Sequence, residues 1–236
     1  MSSTMSPERF QDRFEAYANE PQQVSGVWLL HRAITDLPGS EAVLCEKAPW
    51  ALKFSEKPPS PPPGKNALAV PYFSQNDNAS GSGYRECFSS SCAMLAAFWG
   101  KVSGDDEYNA IRSGYGDSTD AQAQLSALRS LGLEADFFTN GSPASLEREI
   151  NAGRPVATGW LHKGPSSNPS GGGHWSVVIG YDSAAWIHND PNGEANLAAG
   201  GYTNNLQGTG MRYSRSNWNP RWMPAGTGGW LLTAKG

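Results

Sequence analysis

Apolar positions recur with two periods along this chain, and each period predominates in a different part of it. From residue 88 the spacing is helical. The run Phe88-Ser-Ser-Ser-Cys-Ala-Met-Leu-Ala-Ala-Phe-Trp99 is rich in Ala, Met and Leu and is closed by Gly100, which predicts a helix over 88–99. A short helix is expected over 105–112. Another runs from a Ser118 or Thr119 cap to 131, where Gly132 ends it, and a further helix opens at Ser142-Pro143 with Leu146 and Ile150 inward and closes at Gly153. Strand-like segments are expected at 68–73, 133–138, 155–161, 174–181, 184–189 and 229–234, with Asp182-Ser183 as the turn between the fourth and fifth. Helices come first and strands later, so the expected class is α+β, with helices packed near a mainly antiparallel sheet. Residues 191–228 show little periodicity, and loops of that length are uncommon and often functional. No internal repeat is visible.

One segment punctuates the chain. Lys57-Pro-Pro-Ser-Pro-Pro-Pro-Gly-Lys65 places five prolines in six residues, which favours polyproline II and excludes helix. Residues 58–65 are therefore read as a semi-rigid linker. It separates a small helical accessory module at 1–57 from a main domain at 66–236. In the module, Ser6-Pro7-Glu8 is a helix start and Phe10, Phe14 and Tyr17 form an apolar stripe; a second helix is expected over 24–34. A piece of that size is too small for an independent core.

Composition narrows the class. The 236 residues include 9 Trp, 8 Tyr and 8 Phe, enough bulk for a packed core, and 27 Gly and 17 Pro, so much of the chain is loop. The formal charge of −4 argues against a nucleic-acid footprint or a polybasic membrane patch. No stretch approaches the roughly 20 apolar residues of a membrane span. The first residues carry no apolar signal-peptide core, so synthesis in the cytoplasm, without membrane insertion, is expected. Three cysteines, Cys45, Cys87 and Cys92, do not describe a disulfide scaffold.

Three segments carry chemistry. Cys87 falls where a polar loop, beginning at Gln75, becomes an apolar helix; unpaired N–H groups at a helix start stabilise a thiolate. Gly171-Gly-Gly-His174 places an imidazole at the mouth of a buried strand, 87 residues beyond Cys87, after a glycine run that is either a mobile flap or a plain flexible loop. Asp190 ends the next strand. If the two strands form a hairpin, His174 and Asp190 share one end of the sheet, where an acid would orient the ring.

Four motifs in this order resemble the papain-like cysteine peptidases, and more closely the bacteriocin leader-processing branch with its stand-alone relatives. They are Val70-Pro-Tyr-Phe-Ser-Gln75, Cys87-Phe-Ser-Ser-Ser-Cys-Ala-Met94, Gly173-His-Trp-Ser-Val-Val-Ile-Gly-Tyr181 and Asp190-Pro191. Phe88-Ser89 departs from the Gly-Pro that follows the cysteine in that branch. The resemblance covers about residues 66–236 and implies a papain-like fold. It also implies Cys87 as nucleophile, His174 as general base and then acid, Asp190 as its orienting partner, and Gln75 with the Cys87 N–H as the oxyanion hole. It implies no cofactor and no metal.

Other readings of the same residues compete. Cys92 is a second thiol, but its helical setting suits a small buried residue, and a Cys87–Cys92 disulfide would need side chains that point apart. A zinc site would draw on Cys87, Cys92, His174 and His188, with a spacing that matches no standard pattern. His188 alone reads as a strand residue sharing the face of Asp190, Asp182 as a turn former, and His31 and His162 as solvent-facing. Trp230 is expected to pack, while Trp218 and Trp222 are open between packing and lining a cleft. The expected activity is amide hydrolysis through a thioester. For the substrate, a compact domain without a visible signal peptide suits a phage endolysin cutting the peptide part of peptidoglycan after membrane breach. Processing of a protein or leader peptide, or a catalytically dead wall-binding module, are the alternatives. Oligomeric state is not legible.

Overall fold

The computed structural model describes residues 67–236. The expected helices at 6–17 and 24–34, the proline linker, His31 and Cys45 lie outside the described residues. The main-domain helices are α1 (Cys87–Phe98), α2 (Asp105–Ser113), α3 (Ala121–Ser130), α4 (Pro143–Asn151) and α5 (Arg215–Trp222). The strands are β1 (Glu134–Gly141), β2 (Val156–Trp160), β3 (His174–Tyr181), β4 (Ala185–Asn189), β5 (Glu194–Ala195), β6 (Tyr202–Asn204), β7 (Met211–Ser214) and β8 (Gly229–Lys235). Six strands form one sheet in the order β1-β8-β2-β3-β4-β7, every neighbouring pair antiparallel, and β5 pairs with β6 apart from it.

Local signals explain most helix ends. The expected 142–153 helix has a capping box, with Ser142 and Ser145 each accepting from the other's backbone N–H, and Pro143 in the first turn. Asp120, rather than Ser118 or Thr119, caps α3 by accepting from Gln122 N. Thr119 instead donates to Asp117, 2.6 Å away.

The sheet is buried on both faces, which is why β3 reads as the near-continuous apolar run Ser176-Val-Val-Ile179 rather than an alternation. Alternate residues feed two cores. Ala157, Val177, Ile179, Ile187 and Leu232 pack with Cys92, Met94, Leu95 and Leu128 of α1 and α3. Val156, Trp160, Val178, Trp186 and Leu231 pack with Leu146 and Ile150 of α4 and with Trp218 and Trp222 of α5. Helices thus flank the antiparallel sheet on both sides. Trp218 and Trp222 are buried and stack at 5.1 Å, so both pack. Trp230 does the opposite of what was expected: it is 54% exposed.

Two further expectations change. Residues 68–73 form no strand. Leu68 N donates to Ile179 O at 2.7 Å, but Val70 N turns back to Leu68 O and Pro71 has no N–H, so the ladder cannot continue. The 191–228 segment is not loop throughout; it carries β5, β6, β7 and α5. Its strands are only two to four residues long, too short for a period to show.

Candidate active site

The hairpin β3–β4 assembles the site. Val177 pairs with Asn189 and Val178 with His188, so His174 at the start of β3 and Asp190 just past β4 fall at the same end of the sheet. His174 Nε2 lies 2.7 Å from Asp190 Oδ1, with both residues buried. That contact leaves Nδ1 as the ring nitrogen available to Cys87, which lines the same cleft as His174. Cys87 is the first residue of α1 and half-buried, with the unpaired N–H groups of the first helical turn around it. The sequence-predicted Cys87, His174 and Asp190 are therefore brought together.

The electrostatics favour a protonated imidazole. Burial works against a cation on His174, but the adjoining Asp190 carboxylate, its hydrogen bond and the Cys87 sulfur outweigh it and raise the imidazole to about 10. A protonated ring facing a cysteine is the partner a sulfur nucleophile needs. Cys92 lacks every part of this setting: it is fully buried, and burial pushes its thiol well up. Both cysteines are free.

Gln75 sits differently from the other three. It is buried, its Nε2 donates to Gly83 O at 2.8 Å, and its backbone N–H donates to Pro191 O at 2.9 Å. These bonds tie the Gln75 loop to both the approach to α1 and the segment after Asp190. One amide proton of Gln75 remains uncommitted. Gly208 closes the same corner: Asp190 N donates to Gly208 O at 2.8 Å, and a Cβ there would run into the Asp190 carbonyl.

A cleft of 840 Å³ opens over Cys87 and His174. Phe88, Trp175, Trp230, His162 and the Gly171–173 run line it. Phe88, the residue that departs from the leader-peptidase pattern, stacks on Trp175 with ring centroids 3.7 Å apart and 7° between planes. Trp175 in turn lies flat over Gly159, where an added Cβ would come within 2.8 Å of the indole. The loop after β2 is held by Arg221, a buried guanidinium donating to the carbonyls of Leu161, Lys163, Gly164 and Leu197.

Sequence reasoning missed several groups. His162 is not solvent-facing; it lines the cleft with its ring 6.0 Å from His174, and burial followed by the His174 charge lowers it to about 4. His188 is fully buried beneath the site, its Nδ1 2.9 Å from Ser176 Oγ, and burial lowers it to about 3. Ser176 Oγ also accepts from Trp160 Nε1 at 2.9 Å, and the Trp160 ring packs edge-on against His174 at 5.2 Å. Asp182 behaves as expected, its carboxylate accepting from the N–H groups of Ala184 and Ala185.

The family model described as the Peptidase_C39 like family matches residues 67–220. The chain belongs to this family. Membership implies a cysteine peptidase. Among solved structures, a C39-like peptidase from Bacillus anthracis is 17% identical, covers 72% of this chain and 97% of its own, and superposes with a TM-score of 0.50; that likeness shows the fold. A double-glycine-motif protease from an AMS/PCAT transporter, solved with its leader peptide, is 19% identical over 72% of this chain and 94% of its own, with a TM-score of 0.48. The peptidase domain of Streptococcus ComA, a bifunctional ABC transporter of a quorum-sensing pathway, is 17% identical over 64% and 91%, with a TM-score of 0.44. Among curated proteins none matches significantly. No helix among the described residues is long and apolar enough to cross a membrane.

Proposed function

We propose that this chain is a cysteine peptidase that cleaves a peptide bond of a polypeptide through a thioester on Cys87. His174 takes the role of base and then acid: its imidazolium gives a proton to the leaving amine after Cys87 attacks the carbonyl, and it accepts one from the water that hydrolyses the thioester. Asp190 holds the ring. The Cys87 N–H and the uncommitted amide proton of Gln75 would receive the oxyanion, each such donor being worth on the order of 10²–10³ in rate. The observation carrying this reading is the buried His174–Asp190 contact of 2.7 Å, with Cys87 at the start of α1 lining the same cleft as His174.

Family membership supports a polypeptide substrate, of which a leader peptide is one kind. The cell-wall substrate expected from the sequence has no support in the comparisons. The proposed organisation retains an accessory module at 1–57 and a linker at 58–65; the family match beginning at residue 67 supports that boundary.

The test is digestion of a diverse peptide library and, in parallel, of purified peptidoglycan, each with the wild type and Cys87→Ala. New termini in the library, lost in Cys87→Ala with an unchanged melting temperature, are expected. Cleavage of the wall alone would restore the endolysin reading. Turnover retained in Cys87→Ala would remove the nucleophile.

A further inference from the structure

The Asp190 carboxylate is completely buried, so each of its lone pairs needs a donor from the protein. Oδ1 accepts from His174 Nε2 at 2.7 Å and from Asn192 N at 3.0 Å. Oδ2 accepts from the Tyr213 hydroxyl at 2.8 Å. The Tyr202 hydroxyl stands 3.4 Å from both oxygens. Neither tyrosine belongs to the motifs that mark Cys87, His174 and Asp190. Both arrive on the 191–228 segment, one on β6 and one on β7.

Tyr213 is itself tightly seated. Register with Trp186 on β4 sets its depth, its ring lies against His188 at 4.8 Å and Trp160 at 5.9 Å, and its oxygen accepts from Ala195 N at 3.0 Å. For its own proton the phenol has Asp190 Oδ2 at 2.8 Å and Gly193 O at 3.4 Å, and the nearer, charged oxygen is the stronger acceptor. Tyr202 adds a second phenol, with its ring 5.5 Å from His174. A phenylalanine would fill either site. The hydroxyls are explained by the carboxylate they face.

We propose that Tyr213, supported by Tyr202, is a positioning residue that holds the Asp190 carboxylate fixed in orientation, so that His174 stays aimed at Cys87. This rests on the peptidase reading above. With Tyr213 present, Oδ2 is pinned and Oδ1 is presented to the imidazole. Without it, one buried oxygen loses its short donor, the carboxylate is free to turn, and the imidazole is held less well against Cys87, so the thiol needs a higher pH to react.

The experiment uses the full chain, and its deciding readout needs no substrate. Iodoacetamide modification of Cys87, assigned by peptide mass mapping to separate it from Cys92, is followed from pH 4 to 9 in wild type, Tyr213→Phe and Tyr202→Phe. Melting temperatures and, on any cleaved library peptide, kcat and KM are measured alongside. In Tyr213→Phe the acid limb of modification is expected to move up by about one pH unit, the worth of one hydrogen bond to a charged group, with kcat reduced and KM unchanged. Tyr202→Phe should shift the same limb by less, in keeping with its longer contacts. An unmoved limb in a folded Tyr213→Phe, even with a lowered melting temperature, would assign the phenol to structure alone and overturn the inference. Should the orphaned Ala195 N–H prevent Tyr213→Phe from folding, Tyr202→Phe decides, and an unmoved limb there overturns it. A wild type whose Cys87 reacts like an unpaired thiol would instead sink the peptidase reading itself.

Discussion

Replacing Asp190 with Asn removes one charge from the site while keeping the shape of the side chain. In the wild type His174 stands at about 10 against an ordinary 6.5, although burial works to lower it. At about 1.36 kcal/mol per unit, that gap corresponds to roughly 5 kcal/mol favouring the protonated ring, supplied by Asp190 first and the Cys87 sulfur second. In Asp190→Asn burial remains and the carboxylate charge is gone, so the imidazole falls toward or below its ordinary value. At pH 7 the thiolate–imidazolium pair is then mostly lost. The fold should tolerate the change: the amide oxygen can still accept from His174 and Asn192, and the amide N–H₂ can turn to the Tyr213 and Tyr202 hydroxyls. The expected result is a loss of at least about 10²-fold in kcat/KM. Cys87 alkylation by iodoacetamide at pH 7 should also slow at least tenfold, with recovery as the pH approaches that of a free thiol. A folded Asp190→Asn that is alkylated at pH 7 as fast as the wild type would refute the claim that Asp190 sustains the charged pair.

Three other outcomes follow from the same geometry. Gly159→Ala places a methyl 2.8 Å from the Trp175 indole, which is clamped against Phe88, so it should destabilise by about 1–3 kcal/mol in urea titration and lower kcat/KM by displacing the wall beside Cys87. His188 is buried and neutral, with its folded value lowered to about 3, so the unfolded chain binds a proton below 6.5 that the folded chain refuses. Its contribution to stability is present above 6.5 and lost as pH falls toward 3; the drop from pH 7.5 to 5 should be about 2 kcal/mol from this group and should be absent in His188→Asn when each variant is compared with itself. Arg221→Lys cannot reproduce the fan of bonds to four carbonyls and should cost about 3 kcal/mol or more by thermal melting, with the loop of His162 loosened.

The order of chemistry along the chain was legible without coordinates because each element announces itself locally. Cys87 stands where polar loop becomes apolar helix, His174 opens a β-branched run, and Asp190-Pro191 stops the next one. A short turn, three residues between Tyr181 and Ala185, then forces His174 and Asp190 to one end of a hairpin, since antiparallel pairing reverses direction. The helix starts at 143 and ends at 100, 132 and 153 were readable for the same reason: Ser-Pro and left-handed Gly act within a single turn.

What had to wait for the tertiary structure involves partners far apart in sequence. Residues 191–228 have no periodicity because β5, β6 and β7 are too short to show one, and their stability comes from what they cover. Tyr202 and Tyr213 were silent in the sequence, as a tyrosine does not reveal which oxygen it will face. His162 looked like a surface residue at a strand end until the fan of Arg221 bonds folded its loop over the cleft. Trp230 is exposed against expectation, and Trp218, open between packing and lining a cleft in the sequence, is buried, because exposure depends on which face of the sheet α5 covers, a choice made by packing across both cores. Local patterns of hydrophobicity and punctuation therefore determined the elements and the reacting groups, whereas burial decided which side chains surround and tune them, since burial is a property of the assembled layers and not of any one stretch of chain.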